Sequence, residues 1–426
     1  MSYSAFLDEK SARSWRHGVD VAEADVHPLL RDWQRRIVVW AADKGRAAIF
    51  ADCGLGKTFM QLEWARLVGD TSLIVAPLSV ARQTVRESHR IDSDVRYVRD
   101  GSEVTGPGLW ITNYEMVERF DPARFDAVVL DESSILKNVD GKTRQLITER
   151  FAVIPMRLAC TATPAPNDVA ELTNHAQFLG VMSRAEMLAA YFVHDERTWR
   201  LKGWASEPMF RWMTSWAMAL RKPSDLGYSD EGYELPPLTI KAEIVEHTDA
   251  PEGQLFATDL GGIGGRSKVR RSTLAARCTR AAEIAAEDGQ CIVWCGLNDE
   301  ADAIAAAVDG AVNVEGSWAP DAKAGALEAF QDGGIRVLVT KPSIAGFGMN
   351  FQQCSRMVFC GLGDSYEAYY QAIRRCYRFG QQLPVDVHVV VSDLEQQIVG
   401  NVRRKEDEAS AVTSQLVRYA REELVA

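Results

Sequence analysis

The stretch AAIFADCGLGKTFMQLEWARLV (47–68) decides the fold. A short apolar run, AAIF, feeds a glycine loop, ADCGLGKT (51–58), which opens directly into a sequence with helical spacing. Strand, glycine loop and helix in that order make a cradle, because backbone N–H groups at a helix N-terminus face an anion and the glycines let the chain come close to it. Gly54, Leu55 and Gly56 form the cradle, Lys57 meets the β- and γ-phosphates of ATP, and Thr58 ligates Mg²⁺. The loop carries Ala51 where the strict GxxxxGK[ST] pattern has glycine.

About seventy residues on, DAVVLDE (126–132) ends an apolar run with two carboxylates. Phosphoryl transfer needs one group to hold the metal and another to orient or deprotonate the attacking water, and Asp131 and Glu132 divide that labour. An isolated Asp-Glu pair is usually solvated surface. Its place at a strand end, downstream of the glycine loop, argues for the functional reading.

Further out, SLIVAP (72–77), LWIT (109–112) and MRLACTAT (156–163) alternate with helical stretches, which predicts a parallel sheet covered by helices. A second series follows in QCIVWC (290–295), VNVEG (312–316), IRVLVT (335–340), RMVFCG (356–361) and VDVHVVVSD (385–393). The fold class is therefore α/β, with an N-terminal lobe at 1–164 and a C-terminal lobe at 238–400. Residues 165–225 lose strand character and carry Trp199, Trp204, Trp212 and Trp216 at helical spacings, predicting a helical insertion. We read these tryptophans as filling a small local core in preference to a base-stacking platform. The Pro-, Gly- and Asp-dense stretch at 226–237 suits a linker, and 401–426 a charged helix. The glycine run at 260–267 and the basic stretch with Lys268, Arg270, Arg271 and Arg277 predict a flexible loop leading into a solvated helix.

The chain has 426 residues, 46% hydrophobic and 25% charged, enough to bury more than one core. A net charge of -11 argues against a surface coated in basic residues, so any grip on nucleic acid has to come from a local groove. The eight cysteines form no CxxC pair, which points away from a zinc module or disulfide framework and fits a reducing cytoplasm. The sequence shows no signal pattern and no apolar run near the roughly 20 residues that span a bilayer.

Further segments resemble the superfamily-two helicase motifs, in order, from about residue 28 to 393. LLRDWQ (29–34) resembles the adenine-reading segment, making Gln34 the adenine contact; LIVAPLSV (73–80) resembles the motif that touches the nucleic-acid backbone and ITNYE (111–115) the one that follows it, implicating Pro77 and Thr112 in contact or coupling to nucleic acid. CTATPAPN (160–167) resembles the coupling motif, with Thr161 and Thr163 as its hydroxyl pair. VTKPSIAGFGMNFQ (339–352) and QAIRRCYRFGQ (371–381) resemble the Swi/Snf branch, together with DESSILKN (131–138) and ELPP (234–237). The second motif reads DESS, with Ser134 where the family has histidine.

The resemblance implies two tandem RecA-like P-loop NTPase lobes. It implies that Thr340 and Ser343 contact nucleic acid, that Gly348 and Gln371 line the nucleotide, and that Arg375 and Arg378 act as arginine fingers. The expected activity is ATP-dependent translocation along DNA by a monomeric motor, through backbone contacts with little sequence preference, in a compact bacterial or bacteriophage-type enzyme able to serve replication or repair partners. A helicase on single-stranded DNA or RNA, and a non-catalytic nucleotide-gated clamp, are the alternatives; intact Lys57, Thr58, Asp131, Glu132, Arg375 and Arg378 weigh against the clamp.

Overall fold

The structure is a computed structural model that describes residues 18–137, 141–195, 198–246, 271–345, 350–363, 365–393 and 396–425. Gly348, the glycine run at 260–267, Lys268 and Arg270 lie outside the described residues. The chain divides into two compact units, Met1–Glu231 with Asp407–Ala426, and Gly232–Glu406.

In the first unit the helices are α1 (Asp32–Lys44), α2 (Lys57–Val68), α3 (Leu78–Ser88), α4 (Lys142–Arg150), α5 (Leu172–Leu179), α6 (Arg184–Tyr191) and α7 (Ser206–Thr214). The strands are β1 (Arg46–Ala51), β2 (Thr71–Ala76), β3 (Val95–Tyr97), β4 (Gly108–Asn113), β5 (Ala127–Asp131), β6 (Met156–Cys160), β7 (Phe192–His194), β8 (Trp199–Leu201) and β9 (Ala217–Leu220). Seven of them form one parallel sheet in the order β3-β4-β2-β5-β6-β1-β9. A parallel sheet is covered on both faces, and β5 and β6 are accordingly buried at every residue. In register, β6 sits between β5 and β1, with Asp131 beside Cys160 and Cys160 beside Ile49. The glycine loop and the Asp131–Glu132 turn therefore leave the same carboxyl edge of the sheet, one strand apart.

The reading of 165–225 as a helical insertion needs correction. The segment contributes α5, α6 and α7, but also the antiparallel hairpin β7–β8 and the strand β9, which pairs with β1 at the sheet edge. Nor is its core local: Trp212 and Trp216 belong to the same apolar cluster as Ala48 and Phe50 of β1, whereas Trp204 is 55% exposed.

In the second unit, β10 (Leu238–Val245), α8 (Leu274–Ala286), β11 (Cys291–Cys295), α9 (Asn298–Ala307), β12 (Ala311–Asn313), α10 (Pro320–Gln331), β13 (Val337–Thr340), α11 (Pro342–Ala345), β14 (Arg356–Cys360), α12 (Tyr366–Cys376) and β15 (Val385–Ser392) follow in turn. The sheet is again parallel, in the order β10-β15-β14-β11-β13-β12. Helix α8 is not simply a solvated basic helix. Its Arg277 is fully buried and donates to Glu300 Oε1 at 2.7 Å, while Glu300 Oε2 accepts the backbone N–H groups of Gly296 and Leu297. A buried guanidinium is tolerable only with such a partner, because desolvating an unpaired charge costs several kcal/mol.

Helix α13 (Gln396–Val425) ends the chain. Val412, Leu416 and Tyr419, spaced four and then three apart on one face, join the core of the first unit. Arg211 of α7 lies 4.7 Å from the Tyr419 ring centroid and 2.9 Å from Glu422. Among the described residues no helix is long and apolar enough to cross a membrane.

Candidate active site

The glycine loop is built on two left-handed residues, Gly54 (φ 86°) and Gly56 (φ 75°), a conformation that costs L side chains about 1–2 kcal/mol. At Gly56 there is a second constraint: a Cβ would lie 2.4 Å from Nε2 of Gln34. That amide donates to the Leu55 carbonyl at 2.9 Å, and Oε1 of Gln34 accepts the Arg31 N–H at 2.8 Å. Gln34, expected to contact adenine, is thus held against the glycine loop. Lys57 begins α2 and turns its Nζ back onto the loop's own carbonyls, Ala51 at 2.8 Å and Asp52 at 3.3 Å. Thr58 follows it, half-buried in the first turn.

Asp131 is 4% exposed at the end of β5. Its Oδ2 accepts from Gln61 Nε2 at 2.8 Å, its Oδ1 from the Glu132 N–H at 3.0 Å, and its carbonyl from the Tyr114 hydroxyl at 2.8 Å. Burial, and then the charge of Glu132, push the Asp131 carboxyl up to about 6, while Gln61 and Lys57 pull it back. Glu132 itself adopts φ 53°, one of two non-glycine residues with positive φ among those described. Such strain persists where surrounding contacts over-determine it, and it concentrates at functional turns.

The donor set fits Mg²⁺. A hard cation takes oxygen ligands and commonly only one or two from the protein. Thr58 offers a hydroxyl, and Asp131 a carboxylate whose charge the protein alone compensates incompletely.

Two polar side chains at this site, Gln61 and Tyr114, escaped the sequence reading. Gln61 stood out in principle as a polar residue one helical turn after Lys57; Tyr114 lay within the quoted ITNYE segment without being singled out. His175 of α5 is the third: its Nε2 is 3.1 Å from the buried Ser133 Oγ, and nothing in its local sequence signals that contact.

The residues expected to couple nucleotide to nucleic acid are mixed in placement. Thr161 accepts the Thr163 N–H at 3.1 Å, and both are buried beyond β6. Thr112 is wholly buried in β4, and Pro77 is half-buried as the residue before α3. In the second unit Thr340 is also wholly buried, donating to the Val314 carbonyl at 3.0 Å, so its hydroxyl ties β13 to the end of β12. Ser343 is exposed and lines a cavity of about 360 Å³ with Asn298, Ser317 and Lys341.

Helix α12 carries the arginines. Arg375, 5% exposed, donates from Nε to the Gln371 carbonyl at 3.0 Å and from Nη2 to Gln371 Oε1 at 2.9 Å. Gln371 is thereby the residue that orients Arg375. Arg378 follows in the turn after α12, half-buried, where Gln381 bonds the Cys354 and Cys376 carbonyls at 3.1 and 3.3 Å. Gly380 (φ 100°) closes this turn, and a Cβ there would press on the Gln352 amide at 2.7 Å.

Residues 276–380 match the family of the helicase conserved C-terminal domain, a span that includes Gln371, Arg375 and Arg378. No curated protein matches the sequence. Among solved structures, a fragment described as the HsdR subunit of a type I restriction enzyme from Vibrio vulnificus is similar over 88% of this chain and 66% of its own, with a TM-score of 0.55 and 16% identity. The SWI2/SNF2 ATPase core of Sulfolobus solfataricus, solved in complex with dsDNA, aligns over 95% of this chain and 98% of its own at a TM-score of 0.45 and 17% identity.

Proposed function

We propose that this chain, a superfamily-two helicase by its fold and by the helicase conserved C-terminal domain at 276–380, is an ATP-driven translocase on duplex DNA. The observation that carries this reading is the first unit's combination of a glycine cradle with a turn that holds the buried Asp131 beside Glu132, at the same sheet edge and one strand apart, in a chain whose second unit holds a pre-oriented arginine. Each part answers one demand of phosphoryl transfer.

Lys57, now resting on the loop carbonyls, is free to exchange them for β- and γ-phosphate oxygens. Thr58 and Asp131 would hold Mg²⁺, which supplies neutralisation of phosphate charge. Glu132 orients and deprotonates the attacking water, and Gln34 reads the adenine edge. Arg375 and Arg378 stabilise charge on the transferring phosphoryl, a contribution of about 10³ to 10⁵ in rate in related systems. Repeated cycles of nucleotide binding, hydrolysis and release move the protein along a strand.

The direct test measures ATP hydrolysis with duplex DNA, single-stranded DNA and RNA, paired with displacement of a triplex-forming strand. Strong stimulation by duplex and ATP-dependent triplex displacement support translocation on duplex. Stimulation by single strands alone would assign the chain to strand-separating helicases, and none by any nucleic acid would refute a motor.

A further inference from the structure

Glu132 stands in a left-handed turn whose two flanks are pinned from different parts of the first unit. On one flank, Gln61 and Tyr114 fix Asp131. On the other, Ser133 is wholly buried and its hydroxyl meets Nε2 of His175 at 3.1 Å. His175 arrives from α5, 42 residues later in the chain, so this is a tertiary link and not a local turn bond.

The ring is itself tightly seated. It is 1% exposed and lies edge-on to Phe50 of β1, with centroids 5.2 Å apart at 82°. Its Nδ1 makes no hydrogen bond of good geometry, although the Glu171 backbone one turn earlier on the chain lies close enough to favour the protonated ring, so Ser133 is the side-chain anchor of the imidazole. A polar ring buried this deeply is a poor device for stability, since an aromatic hydrocarbon would fill the space without desolvation cost. Burial holds its pKa down at about 4, which keeps the ring neutral and its bond to Ser133 unchanged across ordinary pH.

We propose that His175 is a positioning residue for Glu132: through the Ser133 hydroxyl it holds the turn that aims the water-orienting carboxylate, so that α5 governs hydrolysis without touching nucleotide. This rests on the ATPase reading above. A shift of α5 that moves the ring moves Ser133, and a carboxylate displaced by about 1 Å loses on the order of 10²-fold in rate.

The test compares kcat and KM for ATP in the full chain at saturating nucleic acid. Ser133→Ala and His175→Leu should each lower kcat about 10- to 100-fold with KM and nucleotide binding unchanged. His175→Gln, whose terminal amide reaches the place of Nε2, should restore most of the rate, whereas His175→Asn, which imitates Nδ1, should not. The Ser133→Ala/His175→Leu double variant should be no slower than the slower single one. Ser133→Ala at the wild-type kcat, or Gln and Leu equally impaired at 175, overturns the proposal while wild-type hydrolysis leaves the ATPase reading standing. A wild-type chain that hydrolyses no ATP with any nucleic acid overturns that reading and this proposal together.

Discussion

Asp131 in the first unit and Arg375 in the second are almost equally buried, at 4% and 5% exposure, yet their surroundings treat their charges in opposite ways. Around Asp131, burial and Glu132 oppose ionisation strongly enough to move its carboxyl to about 6, against the partial relief of Gln61 and Lys57. Arg375 instead has its guanidinium bonded twice to Gln371, one turn earlier on its own helix. The first unit therefore holds a carboxylate whose ionisation burial opposes, which a cation would relieve, and the second holds orientation. A site that activates water needs the former; a group that answers developing phosphoryl charge needs only the latter.

That contrast can be broken at several points. Lys57→Ala removes the cation proposed to meet phosphate, and should lower ATP hydrolysis by about 10³-fold or more and weaken nucleotide binding, read by steady-state rates and nucleotide titration. In the second unit, charge burial serves the fold, so Glu300→Ala should destabilise that unit by about 3–5 kcal/mol in denaturant unfolding, because Arg277 would be left buried and unpaired.

His175 sharpens the comparison through pH. Its folded pKa of about 4 lies below the ordinary 6.5. Below pH 6.5 the unfolded chain takes up a proton that the folded chain does not, so stability is lost as pH falls from 6.5 toward 4. The loss should be about 3 kcal/mol in the first unit. His175→Phe should flatten that portion of the stability curve relative to wild type; parallel curves would contradict the assignment. The smallest effect is at Tyr114: Tyr114→Phe removes one hydrogen bond to the Asp131 carbonyl and should cost about 1 kcal/mol, seen as a modest fall in the unfolding midpoint.

Much of the architecture was legible because parallel strands buried on both faces must read as apolar runs, and β1, β2, β4, β5 and β6 do. The edge of the first sheet was not. β9 is AMAL, a sequence with helical preference, and it becomes a strand because β1 offers it a backbone partner. β3 spans three residues, too few for a period to show. β10 alternates in sequence, but its burial does not follow: Glu243 is half-buried against Arg280 and His388 while Ile244 is exposed.

At the candidate site, the placement of Lys57, Thr58, Asp131 and Glu132 at one sheet edge was legible because loop and strand-end spacing sets it. His175 was not, since its partner is set by how α5 packs on β1. Arg277 misled for a related reason: a basic stretch reads as solvated, and Glu300, which buries it, stands 23 residues away.

The most direct test of the account is DNA-stimulated ATP hydrolysis by Arg375→Ala beside the wild type, with nucleotide affinity measured in parallel. The account predicts that the variant binds nucleotide as the wild type does but hydrolyses it about 10³-fold more slowly or worse, whatever duplex is added. Hydrolysis at the wild-type rate would show that the second unit's arginine plays no part in the chemistry, and the motor mechanism would have to be abandoned.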